Sequence, residues 1–170
     1  MPEGTRPEHK RLAARIYTPS GWIVGNFHVP QGRQLLPFLN ETKQFFTLTD
    51  VQLPGHTRPL SFLAVQRSAT ILVVPAEAEN IGGDVTGVAT THQVSCLLHG
   101  GLLMGALRLP STVRVSDHLM ATAQFFLLRD CTIGLDDPQR GGSVEATRLV
   151  LVNASRLVGV AEVEGHAPSG

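Results

Sequence analysis

Few residues in this chain are suited to chemistry, and their spacing decides what they can do. His92, Cys96 and His99, in the run HQVSCLLH, come nearest to a metal constellation. Zinc takes three or four deprotonated ligands converging in a tetrahedron. A strand through this run sends Cys96 and His99 to opposite faces, because successive side chains alternate. The thiol then reads as a small buried side chain beside two surface histidines, and no metal is assigned. Asp50 and Asp130 each close an apolar run, but neither keeps a second carboxylate or a histidine nearby for acid–base work. They read as structural, accepting backbone hydrogen bonds at a hairpin. The doublets Phe45-Phe46 and Phe125-Phe126 have the surface to stack on bases, yet on a core strand such doublets more often pack. IGGDVTG and QRGGS stand in no strand–loop–helix context, so neither a nucleotide site nor any other cofactor follows. No Ser-His-Asp or Cys-His grouping emerges, and the expectation is a protein that is not an enzyme.

The elements that hold these residues are written twice. Sliding the chain by eighty positions lays Gly101–Cys131 beneath Gly21–Val51, and from Arg15/Ser95 to Leu53/Ile133 the match runs 39 positions without a gap. Ten pairs are identical, among them Gly25/Gly105, Pro30/Pro110, Phe46/Phe126 and Asp50/Asp130. Chance would give roughly two or three, so the pattern implies an internal duplication. Ile23, Gly25, Phe27 and Val29 share one face of a strand, as do Leu103, Gly105, Leu107 and Leu109. A glycine inside a strand weakens it unless the sheet bends or another backbone comes close. Pro30 and Pro110 end that strand. Leu35 and Leu39, matched by Val115 and Leu119, predict a short amphipathic helix, with Ser116 as a cap in the second copy. Phe45–Leu53, Leu60–Gln66 and Thr70–Val74 follow as strands, with a tight connection at Arg67-Ser68-Ala69. The second copy repeats the last pair as Leu149–Asn153 and Leu157–Val160, seven residues later, the insertion falling in LDDPQRGGS.

The predicted organisation is therefore a flexible arm at 1–11, a first repeat at 12–75, a linker at 76–91, a second repeat at 92–162 and a flexible tail at 163–170. The expected fold class is mainly β, as two tandem five-stranded barrels, each with a short helix between its second and third strands. Formal charge is zero, with fourteen basic and fourteen acidic residues, so no global field draws nucleic acid. No apolar run is long enough to span a membrane, and MPEGTRPEHKR has no signal-peptide core; the default is cytoplasmic. Cys96 and Cys131 occupy non-equivalent repeat positions and suggest free thiols in a reducing compartment.

YTPSGWIVGNFHV and LLHGGLLMGALRL are similar to the first Sm motif, and LAVQRSATILVV and LVLVNASRLVGV to the second. With FLNETKQFFTLTDV as a third strand, the chain resembles the Sm-like family, most closely bacterial proteins built from tandem Sm-like barrels. The resemblance implies ring-like association through the fourth and fifth strands. That nominates Leu60, Phe62, Ala64, Ile71 and Val73, with Leu149, Leu151, Val158 and Val160, as interface residues. The leading expectation is thus a non-enzymatic assembly protein, forming homo-oligomers or serving in a larger complex. The alternative is an RNA-binding ring using Asn40, Arg67 and Arg156. It is disfavoured because Asn40 becomes Met120 and the loop pairs expected of RNA-binding Sm proteins are missing. Trp22, Val24, Leu102 and Met104 would be covered by the sister repeat, the helix or another subunit.

Overall fold

The structure, a computed structural model, describes residues 8–42, 44–121, 124–135 and 143–163. Most of the expected arm, most of the LDDPQRGGS loop and the tail from residue 164 lie outside the described residues. The chain divides into two compact units, Met1–Gly82 and Gly83–Gly170. The first contains β1 (His9–Thr18), β2 (Gly21–Pro30), α1 (Leu35–Glu41), β3 (Phe45–Gln52), β4 (Leu60–Gln66), a 3₁₀ turn (Arg67–Ala69) and β5 (Leu72–Pro75). The second contains β6 (Ala89–Leu98), β7 (Gly101–Pro110), α2 (Val115–Ala121), β8 (Phe125–Leu135), β9 (Ser143–Asn153), a 3₁₀ turn (Ala154–Arg156) and β10 (Leu157–Glu162).

Pairing repeats between the units residue for residue. His9↔Pro30 through Thr18↔Gly21 joins β1 to β2, and Ala89↔Pro110 through Leu98↔Gly101 joins β6 to β7, each partner eighty positions on. Ile16↔Val73 has its counterpart in Cys96↔Val160, and Phe46↔Val65 in Phe126↔Val152. Even the turn before the last strand is fastened alike, Arg67 N–H donating to the Gln44 carbonyl and Ala154 N–H to that of Gln124. One face of each unit's strands is apolar and buried, with the helix on it: Ile16, Phe27, Leu48 and Leu39 in the first, Cys96, Leu107, Leu128 and Val115 in the second. Phe27 packs edge-on against Phe38 of α1 and Phe46 of β3, at centroid separations of 6.4 and 5.8 Å.

The predicted pair of five-stranded barrels is not what forms. Within each unit the five strands make an open antiparallel sheet. Within the first unit the order is β5-β1-β2-β3-β4, and within the second β10-β6-β7-β8-β9. Neither β4 with β5 nor β9 with β10 are neighbours, so neither unit closes on itself. The retained glycines mark a local irregularity in each sheet. Between Val24↔Gln52 and Asn26↔Thr49 a single residue, Gly25, faces two, Asp50 and Val51; Gly105 faces Asp130 and Cys131 in the same way. Asp50 and Asp130 both take φ of 50°, the left-handed conformation that Asp tolerates better than most residues. This is a β-bulge, which bends one strand locally and increases its twist. A Cβ at Gly25 would sit 3.2 Å from Val51 Cγ2, and one at Gly105 only 2.8 Å from Cys131 Sγ, so the glycines make room for the bulge rather than for a barrel corner.

Three local expectations also change. β1 begins at His9, inside the expected arm at 1–11, because Lys10 and Arg11 pair with Val29 and His28 despite their charge. Asp50 and Asp130 turn the backbone at the bulge, not at a hairpin. α2 begins at Val115, so Ser116 lies inside its first turn and is not its cap.

Candidate functional site

β4 stands at one end of the first unit's strand order and β10 at one end of the second's. An edge strand offers a row of N–H and C=O groups to any partner strand, and natural edges are usually blunted by charge, proline or a bulge. β4, LSFLAVQ, carries neither charge nor proline from Leu60 to Gln66. On it Phe62 is 57% exposed, Ala64 is exposed and Leu60 is half-buried. Phe62 lies opposite Thr49, whose Oγ1 is 2.6 Å from His28 Nε2. On β10 Val158 is 72% exposed and Val160 half-buried, and the register against β6 shifts between Leu157 and Gly159. The other nominated interface residues, Ile71, Val73, Leu149 and Leu151, are buried core side chains.

On the sheet faces away from the helices Val24, Leu102 and Met104 are exposed and Trp22 is half-buried. In the second unit the cross-strand series Val144, Gly134, Leu102, Leu97 and Gly159 crosses all five strands, and Val144, Leu102 and Leu97 are exposed. Met104 is exposed beside it. Leu97 and Val144 were not singled out in the sequence. The alternation that placed Leu102 outward places its partner Leu97 there too. In the first unit the matching positions hold Tyr17 and Trp22, 5.1 Å apart at their ring centroids, with the Arg15 guanidinium 4.9 Å above the indole. This cation–π stack shields apolar rings and leaves Val24 exposed nearby.

The remaining candidates are placed apart. His92 Nδ1 is 2.7 Å from Glu162 Oε1, a pair tying β6 to β10, and the sulfur of Cys96 is buried. Among the described residues no group of three potential ligands converges on a metal. Burial pushes the Cys96 thiol up to about 11. Burial, then the neighbouring charges of Asp130 and Cys96, pushes Cys131 up to about 12. Both thiols are therefore protonated and unreactive near neutrality. Arg67 Nε donates to the Leu39 carbonyl, fastening the end of α1, while Asn40 and Arg156 are half-buried. Among the described residues no helix is long and apolar enough to cross a membrane. No protein-family model, curated protein or solved structure matches the chain.

Proposed function

We propose that this chain is a non-catalytic assembly protein, arisen by tandem duplication of a five-stranded module, that associates with further copies of itself by adding strands to its sheet edges. The observation that carries this reading is β4: seven residues without charge or proline, at an end of the strand order, with Phe62 projecting into solvent. Strand addition supplies main-chain hydrogen bonds, and alternate side chains set specificity. Phe62 is the side chain such a contact would bury first, and the exposed Leu97, Leu102 and Met104 offer further apolar area. Light scattering on the chromatographed full chain tests it. A mass at a multiple of 18.3 kDa is expected, returning toward 18.3 kDa in Phe62→Lys. A single 18.3 kDa species for the unaltered chain across the micromolar range contradicts it.

A further inference from the structure

The two units differ in one place where their registers say they should not. In the first, the chain leaving β5 returns across the groove between β1 and α1. There Leu35 N–H donates to the Asn80 carbonyl and Leu36 N–H to that of Ile81, both at 2.8 Å. Ile81 is 5% exposed. Lys10 Nζ reaches Asn80 Oδ1 at 3.1 Å, and Gly82 passes so close to Gln34 that a Cβ would lie 2.8 Å from its Oε1. Asn80-Ile81-Gly82 is thus a strap that fills the groove with one aliphatic side chain and two backbone carbonyls.

In the second unit the same groove is a cavity of about 530 Å³, lined by His92, Arg114, Val115, Leu119, Val160 and Glu162 among others. Leu119 and Val160 stand where Leu39 and Val73 stand in the first unit. The latter two are 0% exposed; the former are half-buried. Among the described residues no backbone carbonyl accepts from Val115 or Ser116, the counterparts of Leu35 and Leu36. The apolar floor and the paired amides are present, and among the described residues there is no strap.

We propose that this groove binds an extended peptide segment of a partner protein, read as an aliphatic residue followed by an acidic one. The aliphatic side chain takes the place that Ile81 has in the first unit, over Val115, Leu119 and Val160. The carbonyls of that residue and the one before it accept from Ser116 and Val115. The acidic requirement comes from charge: Gly82 lies against the neutral Gln34 and Pro37, whose counterparts are Arg114 and Asp117, and of these it is Arg114 that lines the cavity, while Glu162 on the far side is engaged by His92. The site shares Val160 and Glu162 with β10 but uses nothing of β4, the edge that carries the proposed self-association, and does not depend on it.

The test is an NMR titration of the full chain with two synthetic heptapeptides, AENIDGD and AENSDGD, the first borrowing the strap sequence with Asp in place of Gly82. Shifts at the amides of Val115 and Ser116 are expected with the first peptide. Affinity should fall at least about tenfold with the second, since an isoleucine buried against the floor contributes well over 1.4 kcal/mol. Arg114→Gln should weaken the first peptide, and Val160→Glu, a change at a half-buried position, should abolish its binding. No shift at Val115 and Ser116 at millimolar peptide overturns the proposal, as do shifts confined to β4 or β10. Binding by a chain ending at Val163 but not by the full chain would assign the groove to residues 164–170 and also overturn it.

Discussion

The two units follow one plan, yet the first covers its helix-side groove with Asn80-Ile81-Gly82 while, among the described residues, the matching groove of the second is lined but not covered. The strand registers agree pair by pair, down to the bulge and its left-handed aspartate. Sheet pairing and groove closure are therefore separable: the backbone ladder needs only the strands, and the strap is an addition to them. The sheet faces teach the same lesson. Where the first unit stacks Arg15, Trp22 and Tyr17 on one another, the second presents Leu97, Leu102 and Met104 to solvent. In both places the first unit is self-satisfied and the second is not.

The sharpest way to break this comparison is at the strap. Ile81→Ala should destabilise the chain in urea by about 3 kcal/mol, within the range for emptying a buried aliphatic site. Val160→Ala, on the uncovered floor of the second groove, should cost about 1 kcal/mol, because a half-exposed valine has less transfer energy to lose. Equal costs would mean that the second groove is covered as tightly as the first.

A second pair of substitutions probes the bulges. Gly105→Ala places a methyl 2.8 Å from Cys131 Sγ and 3.2 Å from the Arg129 carbonyl, and should cost about 2 kcal/mol by overpacking. Gly25→Ala meets Val51 Cγ2 at 3.2 Å and should cost about half as much, on the order of 1 kcal/mol. Adding Cys131→Ala should recover part of the first loss. Failure to recover it would place the strain in the backbone instead.

The smallest effect is a pH dependence peculiar to the second unit. His118 stands where the first unit has Phe38; its ring meets Phe126 edge-on at 6.0 Å, and its Nε2 is buried without a hydrogen-bond partner. Burial holds its pKa below 6.5, so the folded state favours the neutral ring. Stability from this group is present above about pH 6.5 and declines as pH falls toward the lowered folded value, since the unfolded chain takes up the proton first. His118→Phe should flatten that part of the stability profile between pH 7 and 5.

Much of the strand and helix layout was legible. Alternation marks β2 and β7 by Ile23, Phe27, Val29 and their counterparts, and the four-residue spacing of Leu35 and Leu39 marks α1. Three things were not. Alternation says which face a residue takes but not whether the first and last strands meet, so an open sheet and a barrel look alike along the chain. Gly25 and Gly105 signal a bend or a close approach, and only the conformation of Asp50 and Asp130 shows that the cause is a bulge. Asn80-Ile81-Gly82 looks like linker because a strap held by backbone carbonyls needs only one apolar side chain, too little to make a pattern. The exposed edge was half legible: the uncharged LSFLAVQ run was visible, but which of its neighbours were buried was not.

Amide hydrogen exchange of the free full chain tests the central claim most directly, through four residues at matched positions. The amides of Leu35 and Leu36, held by the Asn80 and Ile81 carbonyls, should be strongly protected, while those of Val115 and Ser116 should exchange orders of magnitude faster. Equal protection at the two pairs would show that the second groove already carries a strap of its own, and would contradict the account.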